Sequence, residues 1–449
     1  MTNKNLSQKL DILLTKASKV TAGKADASIL SGWAKEIDFE QDKLKLIKGS
    51  KSVIMDLRLF KNDKIGVSAT NKIDEESIQE VVGDALDVSG FGHEGGFDLP
   101  SPAKNTKSPK LFDPQVEKLG VDYFINIGEK IINRVKQEEP EMIVNDLVFD
   151  FGTGESVFGN TKGVREVQRG SHVNFGLEFS KVSQSDFFQL YGGRSARRIK
   201  DLDIDGVVDD LLKKAKWGKR IAEVKSGNFP VIFSPEASIS LFEYLIGAAS
   251  GKSVREGTSK LAGKLGKKVF AEGLTITDDP TIDFAESSYE LDDEGVPGKM
   301  KNLIEKGVVK NFYYDLYEAA KAKVKPTGNG DRHPYMQAQP SVSNILISGG
   351  EKPYSKLIKN IKQGLLVNFL LGAGQNNPYN GDFQFGIILG FLIENGEIVG
   401  RVKNASIAGN VFDLLRNNLM WLSSDRETLG AFTSPFICLD GISVTSKSS

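Results

Sequence analysis

The chain holds three histidines, His93, His172 and His333, and their spacing limits the metal chemistry they could do. A helical zinc pair needs two ligands about one turn apart, and no two of these histidines come that close. They read as isolated surface or hydrogen-bonded side chains. The only cysteine is Cys438, so no intrachain disulfide can form. A Ser-His-Asp or Cys-His nucleophile stays open, but no G-x-S-x-G sequence supports one. Gly247-Ala248-Ala249-Ser250-Gly251-Lys252-Ser253 looks like a phosphate loop. Three residues separate its glycines where the motif has about four. It also follows a predicted helix over 239–249, so it would not hand phosphate to a helix N-terminus. Gly152-Thr153-Gly154-Glu155-Ser156 and Gly372-Ala373-Gly374-Gln375-Asn376 lack dinucleotide spacing and read as turns.

Polar groups that could hold a substrate are easier to find. Gly328 and Gly330 leave backbone accessible beside Asn329, Arg332 and His333, and Gln375 and Asn376 carry amides able to pair with an extended peptide. Turn formation accounts for the same residues equally well. Asp292 and Asp293, with Glu243 and His333, could support hydrolysis by non-standard residues. The acidic pair precedes Gly295 and Pro297, however, which is the pattern of a turn. Arg194, Arg197, Arg198 and Lys200 form a short basic cluster that reads as a solvated strand edge or loop.

The elements that must position these groups show in the periodicity. Residues 5–18 predict an amphipathic helix. Residues 26–70 alternate as antiparallel strands. Asp74-Glu75-Glu76 opens a helix with an acidic first turn. Residues 90–115, rich in Gly, Pro, Ser and Lys, suggest a linker. A helix over about 115–137 stops before Pro140, strands occupy 142–192, and a helix follows at about 205–217. Two hairpins are predicted in the C-terminal half, at Leu303–Val309 and Leu392–Ile398. Asn395-Gly396 is a strong turn signal, because both positions need φ > 0. The expected fold is α+β. An N-terminal α/β sandwich-type region with antiparallel strands comprises 1–90 and 115–224, joined by a linker at 91–114. A C-terminal domain rich in antiparallel sheet spans 225–449. No solenoid period or low-complexity tract is present.

With 449 residues the chain can bury a large core. Its 58 basic and 59 acidic residues leave a formal net charge of −1, so no bulk charge favours nucleic acid or an anionic membrane. The N-terminal apolar residues are broken by Lys and Asp, unlike a signal peptide, and no apolar run suggests a membrane span. A cytoplasmic protein is expected.

One ordered set of motifs is more specific: Arg255-Glu256-Gly257-Thr258-Ser259, Asp292–Pro297, Leu303–Gly307, Pro326-Thr327-Gly328-Asn329-Gly330, Gly374–Pro378 with Gly381-Asp382-Phe383, and Leu392–Gly396. Lys64–Glu76 and Gly159-Asn160-Thr161-Lys162-Gly163 extend it. The chain resembles the TldD/PmbA (TldD/TldE) family over roughly 25–445. The resemblance implies a two-part α+β architecture and an intracellular dimer. In the catalytic TldD branch, an H-E-x-x-x-H helix and a later cysteine bind a metal. That metal lowers the pKa of a bound water while the glutamate acts as base. Anchored on Arg255–Ser259, the metal helix falls on Phe242-Glu243-Tyr244-Leu245-Ile246-Gly247. Phe242 and Gly247 replace the histidines, and the stretch Trp421–Asp425, where the cysteine belongs, has none.

The resemblance therefore implies a PmbA/TldE-like subunit without catalytic residues or cofactor of its own. Zinc would belong to a TldD-like partner, and unfolded peptides would be the substrate. Glu243, Asn329, Arg332, Gln375 and Asn376 are the peptide-contact candidates. The alternatives are a stand-alone homodimeric peptide- or protein-binding module, in keeping with the family's gyrase-modulator naming, and the non-standard hydrolase above.

Overall fold

The computed structural model describes residues 3–21, 23–183, 186–372 and 379–446. In the N-terminal half, α1 (Asn3–Thr21) leads into β1 (Ala25–Glu40), β2 (Lys43–Lys61) and β3 (Lys64–Thr70), then α2 (Glu75–Ser89). After a long connection come α3 (Val121–Glu138), β4 (Ile143–Asn160), β5 (Arg165–Val182), β6 (Phe187–Ala196) and α4 (Ile204–Gly218). Asp74 caps α2, its carboxylate accepting from Ser77 N at 2.9 Å, as the acidic first turn predicts. Helix α3 buries Phe124, Ile131, Ile132 and Val135 at helical spacing.

Sequence composition separates 1–90 from 115–224, yet their strands form one antiparallel sheet in the order β3-β2-β1-β4-β5-β6. The join is β1 against β4, with Asp26 opposite Asn160 and Glu40 opposite Asp146. Cross-strand pairing depends on register, which local composition does not encode. Residues 91–114 run as a strap along the molecule. Lys110 N donates to Asp283 Oδ1 at 3.0 Å, and Ser171 N donates to Leu111 O at 3.1 Å.

In the C-terminal half, β7 (Ile221–Ala222), β8 (Gly227–Phe233), α5 (Pro235–Ala249), α6 (Gly251–Arg255), β9 (Ile276–Asp278), β10 (Lys301–Glu305) and β11 (Val308–Val309) come first. Then follow α7 (Leu316–Ala322), β12 (Gly330–Asp331), β13 (Gln339–Pro340), β14 (Ile345–Ile347), α8 (Tyr354–Leu357) and β15 (Gln363–Leu371). The chain continues through β16 (Asp382–Glu394), β17 (Glu397–Val402), β18 (Ala405–Asn410), α9 (Val411–Asn417), β19 (Leu419–Leu429) and β20 (Phe432–Ser446). Strands β20, β8, β15, β16 and β18 pair in a closed ring, because β18 bonds both β16 and β20. Both predicted hairpins form. At the second, Asn395 (φ 50°) and Gly396 (φ 80°) make the turn, and β16 pairs antiparallel with β17.

Side-chain alternation gives the barrel two apolar surfaces. Val231 and Phe233 pack with the α5 side chains Leu241 and Phe242. Ile232, between them, joins Phe391 and Cys438 in a core shared with α3 and α4. That shared core crosses residue 225, so the two halves are packed together without a free hinge. Among the described residues no helix is long and apolar enough to cross a membrane.

Candidate functional site

The site is built on α5. Ser234 caps it, accepting from Ala237 N at 3.2 Å, and Pro235 occupies the first turn, where its missing N–H costs nothing. One face of the helix is buried, and Glu243 and Gly247 are exposed on the other. Burial beside the helix pushes the Glu243 carboxyl up. Phe242 is 0% exposed within the core. Positions five apart on a helix lie about 140° apart around its axis, so residues 242 and 247 face different environments.

The residues present do not fit a zinc ion. Phe242 and Gly247 offer no donor atom. Cys438 is fully buried on β20 opposite Ile232, with its sulfur 3.6 Å from that of Met420, and burial pushes its thiol well above the usual range. The histidines stay apart, as their spacing suggests. His172 Nε2 lies 3.0 Å from Asp150 Oδ1, and this hydrogen bond holds the carboxyl low. His333 is exposed near Asp331, and the His93 carbonyl accepts from Ile65 N. Among the described residues no His, Cys, Asp and Glu side chains converge as a metal-binding group. The glycine-rich loop at 247–253 joins two helices, α5 and α6, so it has no phosphate-loop geometry.

Beside α5 lies a groove of about 480 Å³, lined by Asp146, Val148, Asn174, Tyr191, Glu236 and Phe369 among others. It lies on the face of the six-stranded sheet that turns away from α3 and α4, where the C-terminal half covers the sheet only in part. Leu147, Phe149, Val173 and Phe175 turn into the core, and the residues between them remain half-exposed on the other face. This face is acidic. Burial, with the charge of Glu36, pushes Asp38 up to about 6. Burial and then Glu178 raise Asp146. The groove offers carboxylate and amide acceptors and glycine backbone at Gly176 and Gly193, which suits holding a chain.

A second cavity, about 550 Å³, opens between the sheet and the C-terminal loops, lined by Asp56, Glu166, Tyr289, Asp293, Asn329 and Arg332 among others. Burial pushes Glu166 up to about 7 and Asp293 up to about 6. Asn329 and Arg332 both reach this cavity, but their polar groups are already engaged. Asn329 Nδ2 donates to Asp278 Oδ2 at 2.8 Å and to Ser341 O at 2.7 Å. The Arg332 side chain, 3% exposed, pairs with Asp26 and with Asp56 Oδ1 at 2.5 Å. Both residues therefore line the cavity while making these contacts within the protein. Gln375 and Asn376 lie outside the described residues. Asp292 is a turn residue, accepting from the N–H groups of Glu294, Val296 and Gly330 at 3.0, 2.8 and 2.8 Å. The basic cluster is likewise absorbed: Arg194 pairs with Glu427, and Arg197 donates to the carbonyls of Ala285 and Glu286.

Sequence reasoning missed the buried charges that hold this wall together. Arg58 donates to Asp26 at 2.6 Å and to Glu294 at 2.5 Å, and Glu294 Oε2 accepts from Leu316 N at 2.7 Å. A local signal existed. Asp56 and Arg58 share one face of an otherwise apolar strand end, where unpaired charge is costly.

Comparison with known proteins agrees with this architecture. Residues 226–446 match the family model for the PmbA/TldA metallopeptidase C-terminal domain, and residues 25–89 match its domain 1. The chain is 26% identical over 393 residues to an uncharacterized protein of Methanocaldococcus jannaschii, covering 86% of this chain and 88% of that one. It is 25% identical over 379 residues to the protein named metalloprotease PmbA of Escherichia coli O157:H7, covering 83% and 81%. The crystal structure of TldE from Thermococcus kodakarensis superposes with a TM-score of 0.89 at 25% identity, covering 98% of this chain and 100% of that one. On this evidence of sequence and fold, the chain belongs to the TldD/PmbA family.

Proposed function

We propose that this chain is the metal-free, non-catalytic subunit of a TldD/TldE-like metallopeptidase complex, acting in the cytoplasm and helping to hold unfolded peptides. The observation that carries the reading is Phe242, which stands where the family's first metal histidine belongs and is packed in the core. Gly247 stands at the second position and has no side chain. Glu243 keeps its place, but a carboxylate without a metal-bound water beside it has nothing to activate. Zinc would belong to a TldD-like partner subunit. The likeness to the protein named TldE from Thermococcus kodakarensis supports the same branch. The half-exposed polar face beside α5 supports the peptide-holding role, because extended chains need amide and carboxylate partners.

Elemental analysis of the isolated protein and of its co-purified complex tests this reading. Zinc and chelator-sensitive peptide cleavage are expected in the complex and not in the isolated chain. Stoichiometric zinc with cleavage by the isolated chain would overturn it. A lone homodimer from the native cell would favour the stand-alone binding module.

A further inference from the structure

We propose that the open edge of β2, residues 44–54, pairs antiparallel with the same edge of a second copy of this chain, with Gly49 opposite Gly49. Strand β3 covers β2 only from Met55 onward, where Met55 faces Thr70. Among the described residues, 43–54 pair with β1 alone, from Glu40 opposite Lys43 to Leu30 opposite Ile54. Phe60 N donates to Lys24 O beside the start of β1, so the even-numbered residues of β2 turn their N–H groups toward β1. No register shift interrupts this pairing from Leu46 to Leu59. Ile47, Gly49, Lys51 and Val53 therefore turn their N–H and C=O groups outward. About 35 Å of strand presents this unpaired row.

The lysines of this edge ask for no acidic partner, because β1 already supplies carboxylates. Lys43 stands opposite Glu40 and Lys48 opposite Glu36, and Lys45 Nζ lies 2.8 Å from Glu40. What the edge leaves open is the backbone row and the apolar side chains of Leu44, Leu46 and Ile47, which are 44%, 42% and 48% exposed. An added strand covers both.

Self-complementarity selects the second copy and its register. A two-fold axis at Ile47 sets Lys43 against Lys51, and an axis at Lys48 or Lys51 sets that lysine against its own counterpart. Like charges directly opposite are destabilising. An axis at Ser50 drives Lys45 of each copy against Met55, where β3 already lies. With the axis at Gly49, the open stretch 44–54 maps onto itself and stops where β3 begins. Ile47 then faces Lys51, Leu46 faces Ser52, Lys48 faces Ser50 and Lys45 faces Val53, so no lysine opposes a lysine. The aliphatic stem of Lys51 covers Ile47. This match is a property of the β2 sequence itself, which a second copy supplies and an unrelated chain does not. The two six-stranded sheets become one sheet of twice the width. None of residues 43–54 lines the groove beside α5. The pairing leaves that groove to a TldD-like partner and is independent of which subunit carries the metal.

The test uses the purified full-length chain without added metal. Light scattering should give twice the chain mass of 49.1 kDa. Lys51→Pro removes an N–H that points outward, so it spares the β1 ladder and should keep the circular dichroism of the fold. It should weaken the dimer by roughly tenfold or more, while Lys51→Ala keeps it. Gly49→Cys sets two thiols opposite each other across the axis, within disulfide reach, and mild oxidation should link two copies. A Cβ at Gly49 meets nothing within 4 Å in the single chain, so this variant folds. Cys438 is buried and adds no background. Gly247→Cys, exposed on α5, should stay unlinked. A monomer, a dimer that Lys51→Pro does not weaken, or linkage through Gly247→Cys in place of Gly49→Cys would each overturn the proposal. Each of these results would leave the metal-free reading of α5 standing.

Discussion

Arg58 of β2 and Glu294, 236 residues later, meet in an ion pair at 2.5 Å with side chains 2% and 0% exposed. The same guanidinium bonds Asp26 on β1, and Arg332 closes the cluster from the C-terminal side by pairing with Asp26 and Asp56. The strands of the N-terminal sheet and the loops of the C-terminal half are thus joined by charges that water does not reach. In a low dielectric such pairs hold only while every member is present.

Arg58→Met should therefore destabilise the protein by about 3–5 kcal/mol, since it leaves Asp26 and Glu294 without their common cation. Urea denaturation at neutral pH measures this. Pairing the change with Glu294→Gln should recover part of the loss, because the second substitution removes a stranded charge.

Glu166 gives the cavity between the halves a pH dependence. Burial raises its folded pKa from 4.5 to about 7, so the folded state holds this proton more tightly than the unfolded state does. Its contribution is full below about pH 4.5 and is lost as pH rises to about 7. The loss is on the order of 3 kcal/mol. Glu166→Gln should flatten this part of the stability curve and make the variant the more stable form at pH 8. Parallel curves for both proteins would show that Glu166 is not held protonated.

Restoring the family's histidines should not restore a metal site. Phe242→His combined with Gly247→His puts an imidazole into the core and costs roughly 3 kcal/mol or more. The later cysteine ligand would still be missing, and the only cysteine, Cys438, is buried in the core, so isothermal titration with zinc should show no tight site. A stoichiometric site would mean that two histidines and Glu243 suffice to hold the metal without the cysteine.

Gly330 lies directly against the ion cluster. A Cβ at this position would come 2.6 Å from Glu294 Cγ, and Gly330 N also donates to Asp292 Oδ2 at 2.8 Å. Gly330→Ala should lower the thermal midpoint by several degrees, equivalent to about 1–3 kcal/mol. Gly247→Ala has open space around it and should leave the midpoint unchanged or raise it slightly.

What the sequence by itself determined was local or pattern-borne. The cap at Asp74, the stop before Pro140, the Asn395-Gly396 turn and the α+β class all follow from short-range conformational preference and periodicity. The ordered motifs pointed to the family, and residues 242 and 247 are Phe and Gly, whose side chains carry no metal donor. Only the tertiary structure decided the rest. Pairing β1 with β4 merged two apparent subdomains into one sheet, because register is a long-range property. The same folding gave Asn329 and Arg332 hydrogen-bond and ion-pair partners far away in sequence. It also placed Asp26, Arg58 and Glu294 in one dry cluster, although nothing short-range links them. Burial sets the energy of a charge, and burial is a property of the assembled fold.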